Sequence, residues 1–346
     1  MHITFLMPHL KLAGGTRLSL TYAHFLAEKG HHVTVVVSSK NFWRRFLANI
    51  LNIKPEWFKK NKAKFLRVKN FQAENIPAGD IVVACFWQGA LFMSDYPQTK
   101  GKQIHFIQHD ERLYHGPADQ VTRAYRLQNK KIVLSHWLQE RIEQDFNQDA
   151  DVLLTPVDFN LFHKVKVNRQ NKDKIRILSL HHSYIWKGTA VCVEVVKKIK
   201  VIQPEVELIL YGAREKNIAL DDCDEYYYNL PQEKMAELYS GCDIFISSSE
   251  WEGLGMPGME AMACGVCLVT YDIGGSRDYA FDNETALVAK HADKEDLYKK
   301  ILLAVEDKEL REKIAQGGYD FIHNKIDTWD ESTNKLEKIF LESLKT

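Results

Sequence analysis

Short apolar runs alternate along this chain with stretches whose apolar residues recur at three- and four-residue spacing. His2–Met7 is an apolar run, Gly14-Gly15 interrupts it, Thr16–Lys29 has helical spacing, and His32–Val37 is a β-branched run ending at Ser38-Ser39. Ile81–Phe86, Gln103–Gln108, Lys131–Ser135 and Val152–Thr155 have the character of buried strands, with helical stretches between most of them. Continuous apolar strands alternating with helices predict an α/β protein, a parallel sheet wrapped in helices.

A second set follows. Pro156 to about Asn171 is polar, ends in the charged run Lys166–Lys174, and is the best linker candidate. Beyond it, Ile175–Leu180, Val206–Tyr211, Asp243–Ser247, Cys267–Tyr271 and Ala286–Val288 are expected strands. Lys187–Lys200, Gln232–Ser240, Met256–Ala263 and Lys294–Val305 are expected helices. The last segment, Asp327–Leu344, is amphipathic with no strand after it, as expected of a helix returning to the first domain. The 346 residues exceed one ordinary core, so we expect domains at 1–163 and 164–326, with 327–346 as the returning helix.

Composition fits a soluble globular protein, with 45% hydrophobic and 27% charged residues. No apolar run approaches the roughly 20 residues that span a bilayer. Met1–Gly15 has the pattern of a first strand rather than a leader. The six cysteines are scattered among apolar runs, as expected of buried thiols in a reducing, cytosolic setting. Net charge is zero, but residues 1–163 carry 21 Lys and Arg against 14 Asp and Glu, and residues 164–346 carry 25 against 32. Residues 40–70 hold ten basic residues and one acid, Glu56. That excess points to an anionic partner, a membrane surface or an acidic acceptor. Nucleic acid is not expected. Trp43, Phe46, Ile50 and Leu51 form an apolar stripe among these charges, either core or lipid-facing.

The strongest chemical signal is Glu250-Trp251-Glu252-Gly253-Leu254-Gly255-Met256-Pro257-Gly258-Met259-Glu260-Ala261-Met262-Ala263-Cys264-Gly265, after the strand Asp243–Ser247. Gly253 and Gly255 permit a tight turn, and Pro257 suits the first turn of a helix. A helix N-terminus at the carboxyl end of a parallel strand offers amide donors and a positive dipole end, which suits phosphate. Glu260 falls about one turn into that helix, where a carboxylate can accept from two ribose hydroxyls. Glu252 sits on the loop, nearer a sugar. The plainer alternative is a chance helix start with two surface acids.

Glu252 and Glu260 form an E-x7-E motif followed by Glu-Ala-Met-Ala-Cys-Gly, and here the chain resembles the retaining glycosyltransferases of family 4. The resemblance runs from about residue 1 to residue 330, specific in the second half and loose in the first. It implies the GT-B type of fold, two Rossmann-like domains facing a central cleft. It also implies that Glu260 binds the donor ribose, that Glu252 contacts the donor sugar, and that the backbone at Leu254 and Gly255 touches the phosphates. Lys187, in Trp186-Lys187-Gly188, can neutralise a diphosphate; taken alone it would pass for a solvated lysine. The family usually has Arg six residues earlier, where this chain has His181, a donor of one neutral hydrogen bond in place of a charged fork. Whether His181 replaces that Arg stays open.

The first half carries looser matches. Gly14-Gly15-Thr16-Arg17 stands where the family's Gly-Gly loop approaches the donor, with Gly15 a donor contact and Arg17 an acceptor or phosphate contact. The stretch lacks the G-x-G-x-x-G of nicotinamide binding. His109 follows Gln103–Gln108, where the family often has a His reaching the transferred sugar; a lone His is otherwise structural. In Tyr228-Asn229-Leu230-Pro231, Leu230 takes the place whose backbone reads the nucleobase. Pro156–Phe162 resembles the family's hinge. Asp222-Cys223-Asp224 mimics a metal-binding Asp-x-Asp but sits in an acidic loop, and Cys264 with Cys267 lacks a second pair at zinc spacing.

The expected function is transfer of a sugar from a nucleotide-sugar donor, bound mainly on the second domain, to a glycan or lipid-linked acceptor on the first. Similarity to the family implies retained configuration, no metal or other cofactor, assistance by the leaving phosphate, and surface-polysaccharide assembly in bacteria as the usual setting. The setting is cytoplasmic, with the inner face of the plasma membrane a candidate site. The competing functions are a sugar-nucleotide epimerase on the same fold and a catalytically silent nucleotide-sugar binder.

Overall fold

The computed structural model describes residues 1–169, 173–213 and 222–345. The end of the expected linker at Asn171 and the middle of the Lys166–Lys174 run lie outside the described residues. The chain forms two compact units, one of Met1–Thr155 with Trp329–Thr346 and one of Pro156–Thr328.

The first unit contains β1 (His2–Met7), β2 (His32–Ser38), β3 (Lys64–Val68), β4 (Ile81–Ala84), β5 (Lys102–Ile107), β6 (Lys130–Val133) and β7 (Asp151–Val152). They form one parallel sheet in the order β3-β2-β1-β4-β5-β6-β7. Its helices are α1 (Gly14–Glu28), α2 (Phe42–Ile50), α3 (Trp87–Met93), α4 (Ala118–Arg126), α5 (His136–Phe146) and, from the far end of the chain, α11 (Trp329–Ser343). α11 packs on α1. Trp329 stacks on Phe25 with centroids 5.8 Å apart, Ser332 Oγ lies 2.6 Å from Tyr22 Oη, and Leu336 and Phe340 are buried.

The second unit contains β8 (Ile175–Leu180), β9 (Val206–Gly212), β10 (Glu225–Tyr228), β11 (Ile244–Ser247), β12 (Cys267–Tyr271) and β13 (Leu287–Ala289), parallel in the order β10-β9-β8-β11-β12-β13. Around them lie α6 (Thr189–Ile202), α7 (Met235–Ser240), α8 (Met256–Ala263), α9 (Lys294–Glu306) and α10 (Lys308–Lys325). The core joins Ile177, Val196, Leu208, Leu210, Ile246 and Val269. Each such side chain removed from water stabilises the unit by about 1.5–3 kcal/mol.

The unit boundary falls at Thr155/Pro156, not at 163/164 as the sequence suggested. Residues 156–163 have a polar, linker-like sequence, but Val157 and Phe162 are buried, and Phe162 meets the ring of Tyr239 on α7 at 6.1 Å. Among the described residues, no helix is long and apolar enough to cross a membrane.

Candidate functional site

In the second sheet β8 lies between β9 and β11, so chain connections diverge from the carboxyl ends of β8 and β11. Such a reversal of strand order opens a crevice where α/β proteins bind ligands. The loop after β8 makes a single 3₁₀ turn at Ile185–Lys187, and Gly188 caps α6 with φ of +69°. A Cβ on Gly188 would stand 2.0 Å from the carbonyl oxygen of Ser248, in the loop after β11. The close approach is used twice. Ser248 Oγ donates to Gly188 O at 2.9 Å, and the Glu250 amide donates to Trp186 O at 2.7 Å. With the two loops joined, Lys187 Nζ meets Glu252 Oε1 at 2.6 Å, the side chains 21% and 13% exposed. Both line a small cavity with Ser179, Leu180, Ser247, Ser248, Ser249 and Pro257.

The turn between the two glutamates is held from below. Leu254 is buried, and Gly255 takes φ of +90° as the residue capping α8. Tyr279 Oη donates to Gly255 O at 2.9 Å. Glu260, one turn into α8, is 7% exposed and accepts from Tyr239 Oη at 3.4 Å, while Tyr239 Oη lies 2.7 Å from Tyr211 Oη. Neither carboxylate is a solvated surface acid. The loop thus sets a cation, a carboxylate and a helix amide end at one strand switch, a combination suited to an anionic, hydroxyl-bearing ligand.

His181 follows β8 directly. It is buried, with Nδ1 2.7 Å from the hydroxyl of Tyr226 on β10, a contact that anchors the edge strand. Leu230 lies half-buried in the turn after β10, next to Asn229 in the left-handed region at φ 48°. Asp222 pairs with Lys197 at 2.9 Å and Asp224 with Lys200 at 2.7 Å. Cys264 and Cys267 are buried, and burial pushes both thiols up to about 12.

In the first unit, α1 begins at Gly14, so Gly15 belongs to the first helical turn instead of a preceding loop. Its missing side chain admits Gln108, whose Nε2 donates to Ser19 Oγ at 2.7 Å. Arg17 is half-buried in the next turn. His109, just past β5, stacks on Tyr114 with centroids 5.2 Å apart and planes 7° from parallel. Its loop is rigid. Asp110 receives two bonds from Arg112, at 2.8 and 2.6 Å, and Arg112 also reaches Asp145 at 2.7 Å. Tyr125 Oη donates to His109 O at 3.1 Å and accepts from the Glu111 amide at 3.0 Å. Burial pushes the Glu111 carboxyl up to about 8. The structure thus gathers Gly15 and the end of β5 in one unit, and Lys187, Glu252, Leu254, Gly255 and Glu260 in the other.

Sequence reasoning missed the positioning residues Tyr239, Tyr279, Ser248 and Tyr226. Tyrosine inside an apolar helix such as α7 carries no sign of what its hydroxyl will meet.

Residues 162–321 match the family model described as glycosyl transferases group 1. An uncharacterized glycosyltransferase of Methanocaldococcus jannaschii is 24% identical over 185 residues, 51% of this chain and 47% of that protein. The N,N'-diacetylbacillosaminyl-diphospho-undecaprenol alpha-1,3-N-acetylgalactosaminyltransferase of Campylobacter jejuni is 28% identical over 152 residues, 42% of this chain and 40% of that protein. The chain thus spans less than half the length of these relatives. Among solved structures, Anabaena HepE in complex with UDP and glucose superposes with a TM-score of 0.72 at 15% identity, over 99% of this chain and 100% of that one. Sucrose-phosphate synthase from Thermosynechococcus elongatus gives 0.79 at 14% identity, over 98% of each chain. The fold is therefore of the GT-B type, two Rossmann-like domains with parallel sheets. Through residues 162–321, the chain is similar to the glycosyl transferases group 1 family.

Proposed function

We propose that the chain is a retaining glycosyltransferase that moves a sugar from a nucleotide-sugar donor to a glycan or lipid-linked acceptor. The observation that carries this is the Lys187–Glu252 pair beside the start of α8, with Glu260 one turn further on. The diphosphate binds against Lys187 and the first-turn amides of α8 and competes with Glu252 for the ammonium. Glu252 then accepts from hydroxyls of the donor sugar, and Glu260, held by Tyr239, accepts from the ribose. The turn at Leu230 meets the nucleobase with its backbone. As the bond from sugar to phosphate breaks, negative charge grows on the diphosphate, where a fixed cation and aligned amides stabilise it most. The departing phosphate oxygen takes the proton of the acceptor hydroxyl, which attacks on the same face.

The first unit takes the acceptor through Arg17, while His109 reaches the transferred sugar and Gly15 admits the donor. The Campylobacter jejuni relative acts on a diphospho-undecaprenol-linked substrate, and a Staphylococcus aureus relative, CapM, serves capsular polysaccharide biosynthesis. Both names support a lipid-linked or polysaccharide acceptor. The reaction needs no metal, so activity survives excess EDTA. Loss with EDTA and recovery with magnesium or manganese would remove that part of the proposal.

Incubating the full chain with nucleotide-sugars, with and without lipid-linked acceptors, tests the function. Glycosylated acceptor supports transfer. Free diphosphate and an altered sugar without acceptor identify an epimerase, and donor binding without turnover identifies a silent binder.

A further inference from the structure

We propose that α2 is an interfacial helix that seats the first unit on an anionic lipid bilayer. Helix α2 is mounted with its apolar side outward. Phe42, Trp43, Phe46, Leu47, Ile50 and Leu51 are 49–69% exposed. The opposite side of the helix holds it to the protein through polar contacts. Asn49 Nδ2 donates to Arg67 O at 2.9 Å and Asn49 Oδ1 accepts from the Arg67 amide at 2.7 Å, so its amide pairs with edge strand β3. Arg45 donates to Ser39 O at 2.8 Å, and Ala48 is the buried residue of the helix. Asn41 caps the N-terminus by accepting from the Arg44 amide at 2.9 Å. An ordinary surface helix turns its apolar stripe to the core. Here a well-formed helix presents six large apolar side chains to the outside while polar groups fix it in place, and a contiguous patch of that kind marks a contact surface.

The charge around the patch selects the occupant. Lys40 and Arg44 flank it, and Lys59, Lys60, Lys62 and Lys64 are exposed further along the same segment. Residues 40–70 include Glu56 as their one acid, itself 3.4 Å from Lys59. Aromatic and aliphatic side chains on one face, with Lys40 and Arg44 beside them and further lysines on the same segment, suit the boundary between acyl chains and anionic headgroups. A symmetric contact between two copies would set this basic rim against itself, a like-charge juxtaposition. Nine residues of helix rise about 14 Å, too short to cross a bilayer, so α2 lies in the plane of the interface. This inference does not depend on the donor site.

Co-sedimentation of the full chain with vesicles tests it, using phosphatidylcholine alone or mixed with phosphatidylglycerol. We expect binding to the mixed vesicles that weakens as salt is raised. W43E/F46E/I50E is expected to reduce it at least about tenfold, and R44E by less. These side chains are exposed, so the thermal unfolding and nucleoside-diphosphate binding of the triple variant should match the parent. Any of three results would overturn the proposal. One is absence of vesicle binding at low salt. A second is equal binding in the triple variant. The third is a dimer in light scattering that the triple variant abolishes while vesicles bind neither protein, which assigns the face to a second copy.

Discussion

At Gly188 two constraints coincide, a left-handed φ and a backbone carbonyl in the place of a Cβ. Gly188→Ala should therefore cost more than the roughly 1 kcal/mol of an unfavourable φ alone, because the loops bearing Lys187 and Glu252 must separate. A chemical-denaturation midpoint equal to that of the parent would show that this junction yields easily. Lys187→Ala should lower kcat far more than it raises KM, since the charge it meets grows as the sugar departs. Equal kcat in the variant would exclude the phosphate role. Glu111 carries a pH prediction. Its carboxyl is raised from 4.5 to about 8 by burial, so the folded state holds a proton that the unfolded state has released. The stability this gives is complete below about pH 4.5 and is lost as pH rises through about 8. Urea midpoints should fall between about pH 6 and about pH 9 in the parent and fall less in Glu111→Gln. Parallel slopes in both proteins would remove Glu111 as the cause. The two glutamates were legible in the sequence because their spacing, glycines and proline all lie within nine consecutive residues. Their supports were not, since Tyr239 reaches Glu260 across 21 residues and Ser248 reaches Gly188 across 60.

Central strands announced themselves as apolar runs, while β3 and β10 did not. Both stand at sheet edges, β3 as Lys-Phe-Leu-Arg-Val and β10 as Glu-Tyr-Tyr-Tyr. An edge strand keeps polar side chains toward water, so its pattern resembles a loop. For α2 the period was legible but the direction was not. Periodicity shows that a helix has an apolar side; the Asn49–Arg67 pairing, a tertiary contact, decides where that side points. The expected helix at Gln232–Ser240 begins as a 3₁₀ turn and becomes α7 only at Met235. The amphipathic tail was read as a helix, and α11 also shows what it covers. Removing residues 329–346 should take the Trp329 ring from Tyr22 and Phe25 and expose the α1 face. The loss should exceed about 3 kcal/mol, comparable to a large core truncation. An unchanged melting temperature for the shortened chain would mean that α11 is an accessory to the first unit.

Across the whole molecule, the charge divides as the work is proposed to divide. The basic first half carries the outward-facing α2 and the proposed acceptor contacts, and the acidic second half carries the proposed donor site. The central claim concerns that second half, where a strand switch, a capped helix and Glu260 form a nucleoside-diphosphate site. Thermal unfolding of the full chain with each common nucleoside diphosphate, beside Glu260→Ala, tests it most directly. A ligand that binds only the folded state at about 100 times its Kd adds about 2.7 kcal/mol to stability. We predict that at least one nucleoside diphosphate raises the melting temperature of the parent, and that Glu260→Ala, folded and melting normally without ligand, loses most of the rise. No rise with any nucleoside diphosphate, or an equal rise in Glu260→Ala, would contradict the account.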